Sequence, residues 1–163
     1  MEILRKIENL LNRVLMVLGG IAILGLMLIA SLNVLMRMFK VPFSGTYEIV
    51  GFLGAVVIAF ALGRTQKRKE NVMVDLVTQH FPTLVKRILD SIKYFLGFLF
   101  FSIIARQVYL WGMGIYKTGE LSETLKIIYY PFVFCVALGF AVLSLTLLID
   151  FIGTLVHYQE EHH

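Results

Sequence analysis

Three ionisable side chains, Glu48, Lys93 and Arg106, stand within or at the edge of long apolar stretches of the chain. A charge at the centre of a bilayer costs about 2.5–3.5 kcal/mol on the insertion scale, so each must be paired, able to reach water, or put to use. A carboxylate beside guanidinium groups can hold helices together as a buried ion pair, can meet a basic residue of another subunit at an interface, or can pass protons or solute along a relay. Glu48 with Arg37 and Arg106 fits the ion pair better, because a single carboxylate is little equipment for a pump. Lys93 has a four-carbon stem that lets its ammonium snorkel to headgroups. Small residues also recur at every fourth position, Gly51, Ala55, Ala59 and Gly63, and form one stripe that admits close approach of another helix. A sister helix and a second protein are equal candidates for that stripe.

Other chemistries lack the residues they need. Metal and haem sites in helix bundles use imidazoles or thiolates facing one another at span depth. The four histidines are His80, in a polar loop, and His157, His162 and His163 in the tail, and Cys135 is the single cysteine. The glycines sit inside apolar runs, where close packing explains them better than phosphate binding. No serine, histidine and carboxylate set can be assembled in a watery pocket. The sequence therefore argues against an enzyme and against any metal or cofactor held by this chain.

The elements that carry these residues follow from composition. The 163 residues are 58% hydrophobic and only 16% charged, with a mean hydropathy of +0.81. A soluble domain of average composition is about a quarter charged, so the solvent is lipid. Uncharged runs long enough to cross a bilayer, about 20 residues, extend from Val14 to Met36 and from Ile127 to Ile149. Two further spans are expected at about 45–64, with Glu48 near the interface, and at about 88–112, with Lys93 and Arg106 towards its ends. Residues 1–13, with Ile3, Leu4, Ile7, Leu10 and Leu11 at helical spacing, read as a separate helix in the headgroup plane. Thr83 to Ile88 reads as a shorter one within the loop 65–87, and 113–126 reads as the remaining long loop.

Orientation follows from the basic residues. Arg5, Lys6, Arg13, Arg64, Lys67, Arg68, Lys69, Lys86 and Arg87 fall on the side of the termini, against Arg37, Lys40, Lys117 and Lys126 on the other, nine to four. The expected fold is thus an all-α membrane protein of four transmembrane helices and amphipathic interfacial helices, with both termini cytoplasmic and 113–126 periplasmic. The formal charge of +4 is spent on this asymmetry, and no nucleic-acid partner is expected. Arg64, Lys67, Arg68, Lys69 and Lys93 are expected to hold phospholipid headgroups, at about 1 kcal/mol each.

Several of these residues also carry a family resemblance. Asn33 and Val34 followed by Arg37, then Phe39, Pro42 and Glu48, resemble the N-V-x-x-R pattern, aromatic, proline and acidic opening of span two in the small membrane subunit of tripartite ATP-independent periplasmic (TRAP) transporters. Arg68, Glu70, Val74 and Asp75 are similar to that family's R-x-E-H-I-x-V-D. Ser122, Thr124, Leu125 and Ile127 with Pro131 resemble its S-x-T-L-x-I-P stretch and the following I-P. The resemblance runs from about Asn33 to Gly139; Gly45, Asn71 and Ile128 depart from it.

The resemblance implies an accessory role in sodium-dependent uptake at the bacterial inner membrane. A periplasmic solute-binding protein would deliver a carboxylate solute, of the C4-dicarboxylate or sialic acid type, to a separate large membrane subunit. Sodium would bind that large subunit and not this chain. Phe98, Phe101 and Phe140 are the side chains expected to meet the large subunit. A haem-free membrane anchor of another complex and a small four-span exporter are the competing readings.

Overall fold

The computed structural model describes residues 2–40, 43–67 and 83–160, with side chains over 5–40, 43–66 and 88–154. Four helices make up nearly all of it: α1 (Glu2–Met38), α2 (Thr46–Lys67), α3 (Thr83–Thr118) and α4 (Tyr130–Glu160). All four are long and apolar enough to cross a membrane. In a solvent without hydrogen-bonding partners a chain must satisfy its own backbone, and a helix does so within one segment. Among the described residues the only strand-like pairing is the isolated bridge between Leu121 and Ile128.

Two expectations about interfacial helices are corrected. Residues 2–13 are not a separate helix but the opening turns of α1, which runs unbroken for 37 residues, or about 55 Å at 1.5 Å per residue. No proline or helix-capping turn separates Arg13 from Val14, so nothing interrupts the ladder. Thr83–Ile88 is likewise the beginning of the 36-residue α3. The long loop expected at 113–126 contracts to 119–129, because α3 continues to Thr118, and Ile127 and Ile128 belong to this turn rather than to α4.

The turns explain where the helices stop. Lys40 adopts a left-handed φ of 58° after α1, with the Phe39 and Lys40 amides donating to the Met36 and Arg37 carbonyls. Gly119 ends α3 at φ 66°, and its amide and that of Glu120 both close on the Ile115 carbonyl, the left-handed cap for which glycine is suited. Pro131 occupies the first turn of α4, where its missing N–H costs nothing.

α4 is the hub. It packs along α3 and α2, while α1 lies mainly on α2 and only lightly on α4, and α2 and α3 share no extended seam. Both short turns lie at one end of the bundle and the beginning of α1 meets the end of α4 at the other, as the contacts below show. Leu15, Val56, Ala59, Phe60 and Val142 form one core cluster; Tyr94, Leu143 and Leu147 form a second between α3 and α4. Ile115, Tyr129 and Val133 form a third, at the turn end.

The small-residue stripe divides between two uses. Ala59 is 1% exposed and faces Gly139 so closely that a β-carbon on Gly139 would lie 2.7 Å from the Ala59 carbonyl oxygen. Gly63 is pressed in the same way against Asn12 of α1. Gly51 meets nothing, and Ala55 is exposed. Half of the stripe therefore seats sister helices, and half lies open.

Candidate functional site

The acid expected to pair with arginines does something else. Glu48, in the first turn of α2, accepts the Thr124 amide on Oε1 at 2.6 Å and the Leu125 amide on Oε2 at 3.0 Å. The α3–α4 turn is thereby hung from α2, across 76 residues of sequence. Neither Arg37 nor Arg106 lies within ion-pair distance of Glu48; both side chains are exposed. The physical reason is that two backbone donors in a tight turn satisfy both carboxylate oxygens through charge-assisted bonds. Charge counting along the sequence contains no sign of such donors.

Neighbouring residues complete this cap. Ser122 is buried; its amide donates to the Ile127 carbonyl at 3.0 Å and its Oγ accepts the Ile127 amide at 3.2 Å. Lys126, with φ 54°, turns the chain between them. The Leu125 side chain fills the space in which any β-carbon on Gly45 would stand. Asn33 Oδ1 accepts the Phe43 amide at 3.2 Å and so ties α1 to the first turn, while Thr46 donates its hydroxyl to the Phe43 carbonyl at 2.9 Å. Tyr129 donates its hydroxyl to Glu120 at 2.7 Å and stacks on Phe52 at 5.5 Å. Burial, and then the Glu120 carboxylate, push the Tyr129 phenol above its ordinary pKa. Asn33, Glu48 and Ser122, selected from the sequence as motif positions, are thus brought together as turn-forming groups. Pro42 and Asp75 lie outside the described residues.

The phenylalanines expected to meet a partner lie along the seam between α3 and α4. Phe98, Phe101 and Phe140 are half-buried against Tyr94, Leu143 and Leu147 in the α3–α4 seam, and Phe101 stacks on Phe140 with ring centroids 6.1 Å apart. Their rings contribute to the packing of α4 on α3. Of the basic residues assigned to headgroups, Lys93 donates to Asp90 at 3.2 Å and lies 4.8 Å over the Tyr94 ring. Arg64 turns its Nε into the bundle, where it meets no acceptor among the described residues. Arg68, Lys69 and the side chain of Lys67 lie outside the described residues.

Sequence reasoning missed a polar clamp at the opposite end. Asn12 and Thr146 are each 1% exposed, and Asn12 Nδ2 donates to Thr146 Oγ1 at 3.2 Å while Thr146 donates to the Val142 carbonyl at 3.1 Å. Glu8, one turn earlier on α1, is also buried. The available signal was the coincidence of an asparagine on the apolar side of α1 with a glycine in the stripe of α2.

One comparison with known proteins finds a family. The family described as tripartite ATP-independent periplasmic transporters, DctQ component, matches residues 26–157, a stretch that includes Asn33, Glu48, Arg106 and Ser122. No curated protein and no solved structure matches the chain. With four apolar helices of spanning length and a family match over most of its residues, this chain belongs to the DctQ family, the small multi-pass membrane subunit of TRAP transporters.

Proposed function

We propose that the chain is an accessory scaffold for sodium-coupled, binding-protein-dependent uptake of a carboxylate solute, of the C4-dicarboxylate or sialic acid class. The large membrane subunit moves the solute and binds sodium; this chain widens and anchors the fixed part of that subunit in the bacterial inner membrane. The observation that carries the reading is the DctQ match over residues 26–157. Two features support it. Glu48, the acid best placed for a relay, has both oxygens engaged by backbone amides. The most apolar windows of α1 and α3 are only 11% and 6% buried within the chain, which leaves long helix faces for a partner.

In this reading the turn end faces the periplasm, where the two turns can meet the binding protein, and the nine basic residues of the other side face the cytoplasm. A cysteine at Glu123, in a Cys135→Ala background, then reacts with an impermeant maleimide added outside; protection until lysis would reverse the orientation. The function is tested in liposomes containing this chain alone, the large subunit alone, or both, with binding protein and a sodium gradient. Uptake is expected only with both membrane subunits. Robust sodium-dependent uptake by this chain alone would refute the accessory role.

A further inference from the structure

We propose that the groove between α3 and α4 around Arg106 seats a membrane helix of the large subunit, and that this helix presents a carboxylate at the depth of Arg106. The proposal rests on the accessory reading and specifies its contact. The groove has a volume of about 750 Å3, with Tyr109, Met113, Phe134 and Leu138 among its walls. Ala105, Ala137 and Ala141 keep it shallow in side chains, which allows another backbone to come close. Arg106 carries the only full charge among the described residues of the lining. It is exposed and has no ion pair or hydrogen bond among the described residues.

Depth selects the occupant. Trp111 and Tyr116, 58% and 59% exposed, continue along α3 towards the turn end and mark the aromatic belt on this helix. At 1.5 Å per residue Arg106 lies about 7.5 Å deeper than Trp111 and about 15 Å deeper than Tyr116. Its side chain leans towards the beginning of its own helix, away from that surface. Reaching a phospholipid phosphate would turn the stem against this lean over about 7.5 Å or more, which a carboxylate at the guanidinium's own depth does not require. A second copy of this chain fits no better: Glu8, Asp90 and Asp150 lie towards the terminal end, Glu120 and Glu123 in the turn, and Glu48 is engaged by the cap. A helix of a different subunit can carry an acid at the required depth, and membrane-embedded cations are satisfied in this way.

The test uses the assembled transporter. A photo-crosslinking amino acid at Leu138 in the groove is expected to capture the large subunit. Arg106→Glu should weaken recovery of the large subunit by about 100-fold in affinity, the cost of an unpaired charge at this depth, and Arg106→Lys should retain most of it. An acid-to-lysine substitution within a large-subunit span should restore recovery with Arg106→Glu. Leu138 captured only by lipid, in a complex that is otherwise intact, would overturn the proposal, as would unchanged recovery with Arg106→Glu. The Leu138 probe leaves Arg106 in place, so it decides the matter even if Arg106→Glu fails to insert. Failure of the unsubstituted chain to recover the large subunit at all would instead remove the accessory reading itself.

Discussion

Gly139→Ala isolates a close approach of one helix to the backbone of another. The added β-carbon would stand 2.7 Å from the Ala59 carbonyl oxygen and 2.8 Å from both the Ala59 carbonyl carbon and its β-carbon. Ordinary carbon contacts begin at about 3.5 Å, so α2 and α4 must separate by several tenths of an ångström. None of the opposing atoms belongs to a flexible side-chain end, and relief requires moving a whole helix. Overpacking of this kind costs about 1–3 kcal/mol, and the rigid neighbours place Gly139→Ala in the upper half of that range. The seam it opens also holds Val56, Phe60 and Val142. Gly25→Ala supplies the comparison, because nothing lies within 4 Å of a β-carbon there, and alanine is the better helix former by about 0.5–1 kcal/mol. Unfolding of the purified chain, titrated with a denaturing detergent from a mild one, reads both. Gly139→Ala should unfold substantially earlier than the unsubstituted chain, and Gly25→Ala at the same point or later. Equal stability of the two variants would refute the argument that α4 is seated on α2 by backbone contact at this position.

The remaining predictions concern polar groups. Asn12→Ala and Thr146→Ala should each destabilise the chain mildly, with a coupling energy of about 0.6 kcal/mol in a double-mutant cycle, the average for hydrogen bonds between membrane helices; strictly additive effects would dissolve the clamp. Glu48→Ala should speed hydrogen exchange at both the Thr124 and Leu125 amides, and Glu48→Gln, which keeps one acceptor oxygen, at one of them; unchanged protection in both variants would show that the turn holds itself. Tyr129, with a folded pKa raised above 10.0, contributes stability that is present below its unfolded value and is lost as pH rises through the folded one. Absorbance titration of tyrosinate should lose a component above that value in Tyr129→Phe, and an unaltered curve would contradict the Glu120 contact.

The parts of this molecule governed by length and hydropathy were legible in its sequence. Val14 to Met36 lacks any ionisable group and could only be a span, and the basic bias alone suggested an orientation. Features that depend on helices meeting were harder to read. Nothing along α1 distinguishes a helix that continues through Arg13 from two helices with a bend between them, because amphipathic and spanning segments share the same period. The stripe on α2 was visible, but Ala59 and Gly63 could be separated from Gly51 and Ala55 only by knowing which sister helix crosses there. Glu48 was rightly singled out as needing a partner. Its partners are main-chain amides, which every residue but proline carries and no sequence pattern marks.

The hub position of α4 has a consequence for the order in which the chain is made. α1 and α2 form a hairpin that can pack as soon as both have left the ribosome, but α3 has no extended seam with either. Until α4 follows, α3 stands alone in the bilayer, and the notch at Ala59 faces lipid. Elongation at about 5–20 residues per second makes that interval seconds long. During it the half-built chain exposes both its small-residue notch and the aromatic rings of α3 to whatever else is being inserted nearby. Maturation therefore turns on a single late event, and a nascent chain stalled before Tyr130 presents the surfaces by which membrane chaperones and proteases would tell it from a finished one.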